Sequence, residues 1–130
     1  MLALVVTALM LVLTLSGGAT WFLRNVLGAK EELIGPSIGV LLVLAALPVP
    51  YVVAELNMGR LLRCGLTTFI GLAKGANVLA MALVVWVMNA TAPGAGAMVG
   101  AVATVAGAIA EMAAVSLAVR QLGSSPAAGD

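Results

Sequence analysis

Apolar residues fill this chain in four long runs, residues 1–23, 33–54, 66–88 and 95–119, and polar or charged residues gather in the short stretches between them. Each run holds about 20 residues or more, enough helix at 1.5 Å per residue to cross roughly 30 Å of bilayer hydrocarbon. The pattern predicts an all-α, polytopic membrane protein, with four transmembrane helices in a bundle over residues 1–122. The remaining residues, 123–130, are small and polar and are expected to form a disordered tail.

The first run is apolar from Met1, broken only by Thr7, Thr14, Ser16 and the Gly17-Gly18 pair. It lacks a basic leader and outlasts the roughly 7–15-residue apolar core of a signal peptide, so it reads as a span. The second run is interrupted by Pro36, Pro48 and Pro50. Pro48 and Pro50 remove two amide donors inside a membrane segment, so this helix is expected to break there. Irregular backbone at membrane depth is tolerated where protein buries it or a water-filled cavity meets it, and a broken span is a feature of transport paths.

Composition supports the same class. Hydrophobic residues make up 63% of the chain and charged residues 8%, against roughly 45–50% and about 25% in soluble domains. A soluble domain of 130 residues could not hide so much apolar side chain. The net charge of +1 implies no nucleic acid or acidic partner. With no His and a single Cys, Cys64, an internal disulfide and a His/Cys metal cluster are excluded. Metalloprotease, serine-hydrolase, CxxC and phosphate-cradling motifs are absent from the sequence. General-base chemistry would fall to Glu55 or Glu111, and neither has an obvious partner nucleophile. No enzymatic activity, catalytic residue, metal or cofactor is expected.

The placement of Lys and Arg sets a topology. With four spans, the N-terminus, the loop at 57–65 and the C-terminus share one side, which holds Arg60, Arg63 and Arg120. The other side holds Arg24 and Lys30, offset by Glu31 and Glu32. The bias favours a multi-pass protein of the cell membrane with both termini cytoplasmic. The stretch from Arg60 to Arg63 is expected to lie in the interface, with Glu55 at the inner boundary, solvated or paired with one of these arginines.

Two charges interrupt the last two runs. Glu111 is the only charge between residues 95 and 119, and Lys74 the only one between 66 and 88. A lone charge in lipid costs about 2.5–3.5 kcal/mol on insertion scales, so Glu111 must be paired, protonated or facing a polar cavity. Lys74 lies 14 residues before Met88, and Glu111 lies 16 residues after residue 95. In an antiparallel hairpin they reach nearly the same depth, a little to the inner side of the midplane. They can form a structural salt bridge, or a coupled site at the depth where carriers place substrates and ions. Gly96, Gly100, Thr104, Gly107 and Glu111 fall on one helix face, a spacing that lets another helix approach closely. Gly35/Gly39 and Gly71/Gly75 are further pairs of this kind. The candidate substrate or coupling-ion residues are Glu111, Lys74, Asn77 and Thr104.

From about Phe22 to Gln121 the chain resembles the C-terminal four helices of the progressive ankylosis (ANKH-type) transporters, within the multidrug/oligosaccharidyl-lipid/polysaccharide flippase superfamily. The carrying residues are the Leu27-Gly28 stop, the Pro48-Val49-Pro50 break with Glu55 to Gly59, the basic lead from Arg60 to Arg63, the Gly-rich turn at 92–96, and Gly107 to Glu111. The resemblance implies export of a small anion, drug-like or lipid-linked substrate through a cavity between two helical bundles. It covers about a third of a full transporter. The chain is therefore expected to be a fragment of a larger product, or to work as a homo-oligomer or beside a partner membrane chain that supplies the missing helices. The alternative is a non-transporting structural or assembly subunit of a membrane complex, with Lys74–Glu111 as internal glue.

Overall fold

The computed structural model describes residues 2–92, 94 and 96–124, and side chains over 4–92, 94 and 96–121. Among the described residues six helices follow one another: α1 (Leu2–Leu15), α2 (Gly18–Asn25), α3 (Glu31–Leu44), α4 (Pro48–Arg63), α5 (Thr67–Thr91) and α6 (Gly96–Ser124). No strand occurs among the described residues. An apolar chain in lipid must satisfy its own backbone groups, and a helix does so within one segment.

Among the described residues three stretches are long and apolar enough to cross a membrane: Glu31–Arg63, Thr67–Thr91 and Gly96–Gln121. A fourth is present if α1 and α2 are taken as one bent span. The composition and these helix lengths mark a membrane protein.

The first apolar run is not one straight helix. It bends by 73° between α1 and α2. Gly17 stands at the joint with φ 78°, a left-handed conformation open to glycine at little cost. The second run extends further than its apolar residues alone indicate, to Arg63. Its helical pattern lapses over residues 45–47, where the amides of Ala46 and Leu47 bond the carbonyls of Val43 and Leu44, three residues back, at 3.2 and 3.0 Å. Pro48 and Pro50 follow in the first turn of α4. Amides there have no partner within the helix, so the missing donors cost little. Residues 31–63 still make one 33-residue run. The polar tail falls partly outside the described residues. α6 continues through Gly123 to Ser124, and residues 125–130 lie beyond.

α4 ends at a closed cap. The amide of Leu66 bonds the carbonyl of Leu61 at 3.0 Å, and that of Gly65 bonds the carbonyl of Leu62 at 3.0 Å. This is a Schellman arrangement, with Gly65 supplying the left-handed residue at φ 72°. The tight reversal brings α5 back beside α4.

α6 is the central helix, packing against α3, α4 and α5. α1 lies outside, against α2, α3 and α4. The packed core sits where α4, α5 and α6 meet, and comprises Ala54, Met58, Leu61, Ala73, Val115 and Ala118. Small side chains dominate it, as expected where helices associate by close backbone approach rather than by escape from water. Large apolar side chains such as Leu72, Leu79, Leu83 and Trp86 point outward, where lipid is the natural solvent.

Candidate functional site

The charged centre is assembled by the α5–α6 hairpin. Glu111 lies midway along α6 and is 1% exposed. Lys74 and Asn77 stand on α5 three residues apart, a spacing that puts both on one face of a helix. Lys74 Nζ donates to Glu111 Oε1, and Asn77 Nδ2 donates to Glu111 Oε2. Both carboxylate oxygens are therefore occupied, as a carboxylate removed from water requires.

Gly107 makes this geometry possible. It precedes Glu111 by one turn and is buried. A Cβ at this position would run into the Asn77 side-chain oxygen and come within 2.6 Å of Met81 Cγ. The missing side chain forms a notch that admits the Asn77 amide and lets its nitrogen reach the carboxylate.

The pair is unequal in burial. The Glu111 side chain is 2% exposed and that of Lys74 is 52% exposed. An ammonium has three donors. One is directed to Glu111, and no other side-chain hydrogen bond is made by Lys74 among the described residues. Tyr51 and Glu55 of α4 also act on Lys74 electrostatically. The arrangement can hold a buried negative charge in place while offering the free side of a cation to an acidic group.

The other expected residues fall elsewhere. Thr104 is half-buried, and its hydroxyl donates to the Gly100 carbonyl of its own helix at 2.8 Å. It does not join the carboxylate. Pro48 and Pro50 belong to the first turn of α4, and Pro50 is buried. The small-residue stripe of α6 is closed at one end only. Gly107 is in tight contact, whereas Cβ atoms at Gly96 and Gly100 would meet open space. The same holds for Gly35, Gly71 and Gly75, while a Cβ at Gly39 would come within 3.0 Å of Met98 Cε. Glu55 makes no ion pair among the described residues. It opens instead onto a surface notch shared with Arg60 and Arg63.

A second polar link went unnoticed in the sequence. Asn57 Nδ2 on α4 donates to Ser116 Oγ on α6 at 3.1 Å. It lies beside a cavity of about 440 Å³ lined by Val53, Met112, Ser116 and Arg120 among others. The polar residue types were the signal, but nothing in their separation of 59 positions announces the contact. Among the described residues no group of three His, Cys, Asp or Glu side chains comes together.

Comparison with protein-family models, with curated proteins and with solved structures gives no match.

Proposed function

We propose that the chain is part of a flippase-type secondary transporter that exports a small anion, drug-like or lipid-linked substrate. The observation that carries this reading is the half-exposed Lys74 ammonium held on a buried, fully bonded Glu111 within a membrane span. Charges at this depth are expensive and are characteristic of substrate and ion paths. In this reading the free donors of Lys74 receive the acidic group of the substrate, and Glu111 with Asn77 positions the ammonium. Thr104 lies further along the path on the same helix. Pro48 and Pro50 let the second span open at the lapse over residues 45–47.

The transporter is proposed to span the cell membrane with both termini cytoplasmic. Open faces at Gly96/Gly100 and Gly71/Gly75 suit close approach of further helices, from a second copy or from a partner membrane chain. The likeness to the progressive ankylosis-type transporters rests on sequence motifs alone and is part of the same proposal.

A non-transporting structural or assembly subunit is the second reading. It is favoured by the complete satisfaction of Glu111 within the chain, since internal glue needs nothing further. Flux separates the two. Purified protein in vesicles, with a fluorescent or radiolabelled organic anion on one side, should show uptake that Lys74→Met abolishes while the protein stays folded. Absence of flux in the parent, across anionic, drug-like and lipid-linked substrates and with candidate partner chains present, would leave the structural role.

A further inference from the structure

The C-terminal end of α4 carries a feature that transport does not use. Glu55, Leu56, Gly59, Arg60 and Arg63 line a surface notch of about 300 Å³. We propose that this notch is a binding site for the phosphodiester headgroup of a singly anionic membrane lipid, with the phosphate held between Arg60 and Arg63. The proposal depends on the chain lying in a membrane and not on whether it transports.

The orientation of the notch is set by packing. Met58 and Leu61 are 6% and 0% exposed and pin the opposite face of α4 into the core with α5 and α6. Gly59, Arg60 and Arg63 are consequently exposed. Gly59 sits one turn after Glu55 and one turn before Arg63, and a Cβ there would meet nothing within 4 Å. The gap in the side-chain column is what opens the notch.

Depth then selects the ligand. Arg63 and Arg60 stand two and five residues before the Gly65 turn that ends α4, within about 8 Å of it along the helix, so both guanidiniums reach the headgroup layer, while Glu55, level with Lys74, lies deeper. The chemistry along α4 follows that of a lipid. Val52, Val53 and Leu56 are exposed apolar side chains on the hydrocarbon side, and the guanidiniums come next. Neither arginine makes a side-chain hydrogen bond or ion pair among the described residues. Guanidiniums bind phosphate oxygens through paired N–H donors, and basic residues on the cytoplasmic side of a span recruit anionic lipid. Glu55 closes the deep end of the notch with a negative charge. It discriminates against a headgroup with a second charge, such as a phosphomonoester.

The experiment titrates the full chain in mild detergent with phosphatidylglycerol, phosphatidylcholine and inorganic phosphate. The readouts are lipid adducts in native mass spectrometry and the melting temperature. Phosphatidylglycerol is expected to bind and raise the melting temperature above the other two. Gly59→Leu fills the notch, keeps every charge and removes no packing. It should weaken phosphatidylglycerol binding by about tenfold, the loss of one charge-assisted contact, as should Arg60→Gln. Arg24→Gln, which removes a basic residue paired with Glu31 and outside the notch, should leave phosphatidylglycerol binding unchanged. Equal binding of phosphatidylcholine would overturn the anionic selectivity. Equal protection by inorganic phosphate would make the site one for a soluble anion and overturn the lipid assignment. Unchanged phosphatidylglycerol binding in Gly59→Leu would show that the notch is not the site.

Discussion

Glu111 is held in the fold through what surrounds it, and single substitutions should separate those contributions. Gly107→Ala places a methyl group against Asn77 and Met81. Overpacking of this kind costs about 1–3 kcal/mol, so its melting temperature in mild detergent should fall. Gly100→Ala lies on the same face but meets open space, and exchanging glycine for alanine inside a helix gains roughly 0.5–1 kcal/mol. Its melting temperature should hold or rise, and equal effects in the two variants would show that the close fit at Gly107 contributes nothing. The ion pair has its own signature. Lys74→Met leaves the buried carboxylate with the Asn77 amide but no counter-charge, whereas Glu111→Gln leaves the half-exposed ammonium without one. The first should therefore destabilise more than the second, and the double variant should recover part of the loss. Thermal unfolding of the four proteins measures the coupling directly; strict additivity would show that the two side chains do not interact.

The α4–α5 reversal depends on Gly65, whose φ of 72° costs an ordinary L residue about 1–2 kcal/mol. Gly65→Ala should lower the melting temperature by an amount that Gly59→Ala, in open helix, does not. A matched response in both would mean that the cap contributes nothing. The reversal matters because it sets Leu66 and Ile70 against the core formed by α4 and α6. It thereby fixes which face of α5 carries Lys74 towards Glu111. The stop at Gly28 is readable in the sequence, because glycine after an apolar helical run commonly ends the helix, whereas the second span is expected from its apolar run to end near residue 54 and its helix runs on to Arg63. The bend at Gly17 is less readable. A Gly-Gly pair inside an apolar run is equally compatible with a continuous span, and only packing of α1 against α3 and α4 selects the bent form.

At the scale of the molecule, the proposed topology can be read with the native protein. Cys64 is exposed between α4 and α5, on the side assigned to Arg60, Arg63 and Arg120. A membrane-impermeant maleimide should fail to label it in intact cells and should label it after permeabilisation. Labelling from outside would reverse the assignment. Trp86, exposed, lies near the end of α5 opposite to this loop. That is where amphipathic rings favour the headgroup layer. Open glycine faces and a central α6 that is still bare at Gly96 and Gly100 carry an expectation about assembly. Crosslinking in native membranes should capture α5 or α6 against another helix-bearing chain. Monomer alone, in membranes that support flux, would contradict it.

What the sequence determined by itself is the solvent of this protein and the depth of its charges. Run lengths and the scarcity of charge demand an apolar surrounding, and helical rise places Lys74 and Glu111 at one level by counting. Rotation about each helix axis is a different matter. α5 and α6 are apolar on nearly every side, so no amphipathic stripe tells which face turns inward. The tertiary structure therefore decided that Asn77 completes the carboxylate, that Gly107 is packed while Gly100 is open, and that Thr104 bonds its own helix. It decided also that Gly59, Arg60 and Arg63 look outward. Apart from the Thr104 bond, which is local to α6, these depend on side chains interlocking between helices, a contact energy that no local pattern records.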